Sequence, residues 1–135
     1  MTETLPGVGA LVENEDLGSL IELVIGDAGF RTATLLFSAV SRDPASFNKF
    51  LLTFDPEILI IQTPMPYNTN WPFVDSILRT EAAKGRQVVY VTDNAALFKK
   101  VSGQTDCDFI VIPCDLDNMV QTVQRAHLKI HPPGR

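Results

Sequence analysis

Long apolar runs are missing from this chain. No uninterrupted stretch approaches the roughly 18 to 20 apolar residues that a membrane-spanning helix needs, so a soluble protein without a membrane role is expected. Concentrated positive charge is missing too: 11 Lys and Arg stand against 16 Asp and Glu, a formal net charge of −5. Non-specific nucleic-acid binding needs a basic face that displaces counterions from phosphates, which argues against nucleic acid as a direct partner. The adjacent Lys99 and Lys100 read as a solvated helix face. Cysteine is scarce, and Cys107 and Cys114 flank one predicted strand without metal-ligand spacing, so both read as reduced, packed or surface thiols. Histidine is equally scarce: His127 and His131 lie four residues apart in the tail of the last predicted helix, and without a third ligand nearby they read as surface residues. Thr92-Asp93 has no Ser/His/Asp or Cys/His set around it, so no enzyme is expected. The opening "MTETLPG" lacks a basic segment leading into an apolar one, and a cytoplasmic location is expected.

What is present is alternation. At 135 residues, 45% hydrophobic and 20% charged, the chain has the size and composition of one ordered domain. "VGALVE" at 8–13 is a short apolar run. It is followed by Leu17, Leu20, Ile21, Val24, Ile25 and Ala28 at helical spacing, with Glu15 and Asp16 at the expected N-terminus and Gly29 at the expected stop. A strand over about 30–37 leads to a helix predicted from Asp43 as cap and Pro44 at the first position, burying Phe47, Phe50, Leu51 and Phe54. "EILIIQ" is an unbroken β-branched run, the mark of a strand covered on both faces. A helix at about 71–84 (Phe73, Val74, Ile77, Leu78), the strand "QVVYVT", a helix "AALFKKV" capped by Asp93 or Asn94, the strand "DFIVIP" and a final helix capped by Asp115 (Leu116, Met119, Val120, Val123) complete the series. The reading is an α/β domain at 8–127 with five strands and five helices in a parallel, doubly wound sheet, between tails at 1–7 and 128–135. Ligands of such sheets bind at the carboxyl ends of the strands.

Four stretches, "LVENED" with "DAGF", "DPEILIIQTPMP", "VVYVTDN" and "CDFIVIPCDLDNM", taken in order and spacing, resemble the receiver domain of bacterial two-component response regulators. The resemblance spans about 8–127 and implies the flavodoxin-like (CheY-like) strand order 2-1-3-4-5. It places Thr92 at the family's phosphoryl-contacting hydroxyl, Phe109 at its switching aromatic, and Pro113 at the proline after its lysine. It also exposes departures. Gln62 stands where the family has its phosphoacceptor aspartate, and Ile112 where it has its lysine. The metal-binding acidic pair maps to Glu13 with Asn14 or to Asn14 with Glu15, and either way one member is an amide.

Those departures decide the expected function. Aspartyl phosphorylation needs a carboxylate nucleophile and a divalent cation to neutralise the oxygens in flight. Gln62 offers neither a nucleophilic carboxylate nor a stable acyl phosphate, and magnesium at Glu13 or Glu15 alone should be weak. A lysine left in a pocket without its anion would be an uncompensated charge, so Ile112 is consistent with the same loss. The expectation is a pseudo-receiver without cofactor or established metal, acting through a protein partner in a signalling pathway. Its docking face, by resemblance, comprises the fourth helix, fifth strand and fifth helix, with Ala96, Leu97, Lys99, Lys100, Phe109 and Pro113 as candidates. A homodimer through that face is a further expectation, as is a domain that stands alone or acts in trans. The alternative is a small-ligand sensor at Glu13, Asn14, Gln62 and Thr92. A switch using Thr63 or Asp93 as another acceptor ranks last. Trp71 is open between an exposed anchor and packing over the third helix, Phe109 between a switch and simple packing.

Overall fold

Four successive residues of the middle strand, Ile58, Leu59, Ile60 and Ile61, are each at most 1% exposed, so this strand is covered on both faces. Everything else is arranged around that requirement. In this computed structural model, which describes residues 5–132, the chain runs β1 (Gly7–Val12), α1 (Glu15–Asp27), β2 (Arg31–Leu36), α2 (Phe37–Arg42), α3 (Ala45–Phe54), β3 (Ile58–Gln62), α4 (Tyr67–Leu78), a 3-10 turn (Glu81–Ala83), β4 (Gln87–Thr92), α5 (Ala95–Ser102), β5 (Asp108–Val111) and α6 (Leu116–Ile130). The five strands pair in parallel in the order β2-β1-β3-β4-β5. Fold class and strand order agree with the expectation.

Alternation along the strands splits the core in two. Val8, Ala10, Ile58, Ile60, Val89, Val91 and Ile110 face α1 and α6, meeting Ile21, Ile25, Met119 and Val123. Leu11, Leu59, Ile61 and Tyr90 face the opposite layer, meeting Val40, Phe47, Leu51, Trp71, Val74 and Phe98. Gly9 lacks a side chain because the α3 layer comes close: a Cβ there would lie 2.7 Å from Phe50 Cε2.

The number and limits of the helices differ from the expectation. Among the described residues there are six, and the additional one is α2. Its apolar signal is only Phe37 and Val40, too short to stand out after the β2 run, yet Val40 is fully buried. Asp43 does not cap α3 with its side chain. Pro44 occupies the cap position, and the Asp43 carbonyl accepts from Ser46 N and Ser46 Oγ at 2.9 and 2.7 Å. Helix α4 begins at Tyr67, four residues before the predicted start, and accommodates Pro72 internally; it ends at Leu78 and the chain continues in the 3-10 turn. "PMPYNTN" reads as loop because proline lowers helical propensity, and the burial of Tyr67 and Trp71 overrides it. Trp71 is 8% exposed and packs on Tyr90 and Phe98, so it is core and not an exposed anchor. In α1 the buried face includes Gly18 in place of Leu20, which is exposed, and in α6 Leu116 is exposed as well. Helix α6 continues to Ile130, beyond the predicted boundary at 127. Of the tails, residues 1–4 and 133–135 lie outside the described residues.

Phe98 is the packing centre of the second core layer, with the rings of Tyr67, Trp71, Tyr90 and Phe109 within 5.0 to 6.0 Å of its centroid. Truncation to Phe98→Ala leaves a large cavity and is expected to cost about 3–5 kcal/mol, read as a lower urea midpoint at unchanged m-value.

Candidate functional site

In strand order 2-1-3-4-5 the direction of winding reverses between β1 and β3, so the crevice at their carboxyl ends is where an open parallel sheet exposes a site. β1 delivers Glu13 and Asn14 there, β3 delivers Gln62, β4 delivers Thr92, and β5 delivers Ile112 and Pro113. The register aligns Gln62 with Val91, one residue from Thr92.

Gln62, Asn14 and Thr92 at this end each have a hydrogen-bond partner within the chain. Gln62 Oε1 accepts a hydrogen bond from the Glu13 backbone N–H at 2.7 Å, bridging β1 and β3 across the crevice. Asn14 Oδ1 accepts from Leu17 N at 2.9 Å as the N-cap of α1, with Glu15 and Asp16 in the first turn. The Asn14 side-chain oxygen is therefore engaged in capping the helix. Glu13 and Glu15 remain exposed carboxylates. Thr92 is 2% exposed; its hydroxyl is hydrogen-bonded to Tyr67 OH and accepts from Asn94 N at 3.0 Å. Tyr67 OH also reaches Asp93 Oδ1 at 3.4 Å. Of the two caps open for α5, Asn94 is the one used, accepting from Leu97 N at 3.1 Å.

Ile112 is half-buried against the α1–α6 side of the core, and its N–H donates to the Thr92 carbonyl at 2.9 Å. The peptide bond to the exposed Pro113 is cis. Phe109 is half-buried against Tyr90 and Phe98, and Lys99 Nζ sits 5.1 Å from its ring centroid. Ala96 and Lys100 are exposed, Leu97 is half-buried, and Val111 at the end of the edge strand is 44% exposed. Thr63 is 3% exposed and its hydroxyl has no hydrogen-bond partner, whereas Asp93 is exposed.

Tyr67 is the member of this site that sequence reasoning missed, since it lay in a segment read as loop. Burial pushes its phenol above the ordinary value of 10.0, opposed by the hydrogen bond from Thr92. Burial pushes Tyr90 up further. The thiols of Cys107 and Cys114, both free and half-buried, are also raised, chiefly by burial. The other end of the sheet corrects a second reading: His127 and His131 do have a third potential ligand, Glu57, and the three ligating atoms lie within 4.8 Å of one another.

Two outcomes follow from the tyrosines. Tyr67→Phe and Thr92→Val should each cost about 1 kcal/mol, with coupling between them in a double-mutant cycle. Because both phenols have raised values in the folded state, their neutral forms are favoured by folding. Stability is unaffected by them below the ordinary value of 10.0 and declines as pH rises above it. The denaturation midpoint should fall above that pH, and less steeply in Tyr90→Phe.

No protein-family model and no curated protein sequence matches the chain. Solved structures do. The chemotaxis response regulator CheY4 of Vibrio cholerae aligns with a TM-score of 0.70 at 19% identity, covering 91% of this chain and 99% of that one. A sensor protein from Polaromonas sp. JS666 aligns with a TM-score of 0.73 at 13% identity, covering 93% and 98%. The N-terminal signal receiver domain of a two-component response regulator from Bacteroides fragilis aligns with a TM-score of 0.66 at 20% identity, covering 90% and 96%. The chain thus shares the fold of CheY-like receiver domains.

Proposed function

We propose that this chain is a pseudo-receiver: a receiver-fold signalling domain that is not phosphorylated at the end of β3, has no enzymatic activity, and acts by binding a protein partner. The observation that carries this reading is Gln62. Its carbonyl oxygen is hydrogen-bonded to Glu13 N, so the position that would need a free carboxylate holds a neutral side chain closing the crevice. Ile112 packed against the core and Thr92 bonded to Tyr67 support it, because both tie the pocket at this end to the protein interior. Magnesium at Glu13 or Glu15 is correspondingly weak in this reading. Thr63 is a poor alternative acceptor because it is buried, which leaves Asp93 as the accessible one.

The proposed docking face is α5, β5 and α6. It presents Ala96 and Lys100, the Lys99–Phe109 pair, Pro113, and the exposed Val111 and Leu116 around an edge strand. That combination of partly exposed apolar surface and flanking lysines suits a protein partner, or a second copy in a homodimer, with an apolar centre and an acidic rim. A cytoplasmic address belongs to the same proposal; among the described residues no helix is long and apolar enough to cross a membrane.

Amide NMR spectra with magnesium alone and with magnesium plus beryllofluoride, a mimic of the acyl phosphate, test this reading. The expected result is no movement at Gln62 or Thr92. Resonances that move there, with a change spreading to Phe109, would overturn it in favour of an anion- or ligand-sensing domain, the alternative that the unpartnered hydroxyl of Thr63 favours.

A further inference from the structure

The opposite, amino-terminal end of the strands holds a broad open cleft of about 850 Å³, lined by groups that the pseudo-receiver reading does not use. Its lining includes Glu57, His127 and His131, drawn from two segments 70 or more residues apart in sequence. We propose that these three side chains form a binding site for one divalent transition metal ion of the zinc class, with a coordination position left open to the cleft. This site is independent of the function proposed for the carboxyl end.

The geometry comes from rigid elements. His127 lies in the last turn of α6 and His131 is its C-cap, so the i, i+4 spacing puts both imidazoles on one face, with ring centroids 4.8 Å apart. His131 N donates to the His127 carbonyl at 2.8 Å, which holds the second histidine on the helical path. The ring of Phe30 meets the His127 ring edge to face at 5.7 Å. Glu57 immediately precedes β3 and is fixed through its backbone: its N–H donates to Gly7 O and its carbonyl accepts from Gln87 N, both at 2.9 Å. The carboxylate therefore projects from the amino-terminal end of the central strand at a set place beneath the helix end.

Both imidazoles address the same carboxylate oxygen. Glu57 Oε2 is 3.0 Å from His131 Nε2 and 3.8 Å from His127 Nδ1. Zinc bonds of about 2.0–2.1 Å in a tetrahedron place ligand atoms roughly 3.3 Å apart; the two Glu57 distances bracket that separation, and all three ligand atoms lie within 4.8 Å of one another, so the widest pair must close by small side-chain rotations when the ion binds. His127 Nδ1 is buried and has no hydrogen-bond partner, an unusual state for a polar atom that a metal bond would resolve. A plain ion pair between Glu57 and His131 accounts for the 3.0 Å contact but leaves His127 Nδ1 orphaned. Two imidazoles and one carboxylate favour zinc and its neighbours over magnesium or calcium, which take oxygen.

The surrounding charges are engaged elsewhere, so they do not occupy the carboxylate. Arg86 bonds to Asp55 at 2.8 Å and to the carbonyls of Pro56, Ala82 and Leu51. Arg31 donates to the carbonyls of Leu5 and Phe54 and lies over the Phe54 ring, and Lys84 pairs with Glu81. With three protein ligands and an open cleft, the fourth position takes water or a small anion.

The test is calorimetric titration of the tag-free full chain with zinc chloride, followed by cobalt(II) absorption spectroscopy. The wild type is expected to bind one equivalent and to give the visible bands of a four-coordinate cobalt site. Glu57→Gln and His131→Ala, with circular dichroism unchanged, are each expected to weaken binding by more than the roughly 10–100-fold loss typical of removing a mere outer-shell partner. Because Glu57→Gln keeps the backbone ladder and His131 lies at the helix end, neither change removes core packing. A wild type that binds no zinc would overturn the proposal, as would zinc binding of undiminished affinity in both variants.

Discussion

The structure depends on covering β3 from both sides. A parallel strand with Ile58 to Ile61 wholly buried can exist only where strands flank it and helices lie above and below. Burying each such aliphatic side chain is worth about 1.5–3 kcal/mol, so the four together outweigh local propensities elsewhere in the chain. Helix α4 illustrates the balance: Pro72 disfavours it locally, yet the helix forms because Tyr67, Trp71, Val74 and Ile77 roof this strand and its neighbour β4.

A strand held that firmly fixes what stands at its two ends. At the carboxyl end is Gln62, tied to Glu13 across the reversal in strand order. At the amino end is Glu57, locked into the ladder between Gly7 and Gln87 and facing the last turn of α6. The two ends differ in chemistry. The carboxyl end presents an amide, an aliphatic side chain and a hydroxyl bonded to tyrosine, beside the exposed carboxylates of Glu13, Glu15 and Asp93. The amino end gathers a carboxylate, two imidazoles and an open cleft. The fold's usual location for a ligand is therefore not where the described residues gather the side chains of the proposed metal site.

Between the ends, the aromatic layer links site and surface. Tyr67 contacts Thr92 through its hydroxyl and Phe98 through its ring, and Phe98 in turn meets Phe109 on the proposed docking face. The chain of contacts is continuous and closely packed, so Thr92 and the α5–β5–α6 face are parts of one body.

Periodicity in the sequence determined the α/β class, the five strands and most buried faces, because two-fold and 3.6-fold spacing reflect which side of an element is buried. The identity of Gln62 and Ile112 at strand ends was equally legible, since a strand's end can be counted from its apolar run. Only the tertiary structure decided the rest. Helix α2 and the start of α4 are stabilised by contacts with residues far away in sequence, which no local window contains. Tyr67 reaches Thr92 across 25 residues. Glu57 and His131, 74 residues apart, meet because β3 begins where α6 ends, and pattern within either segment carries no trace of the other.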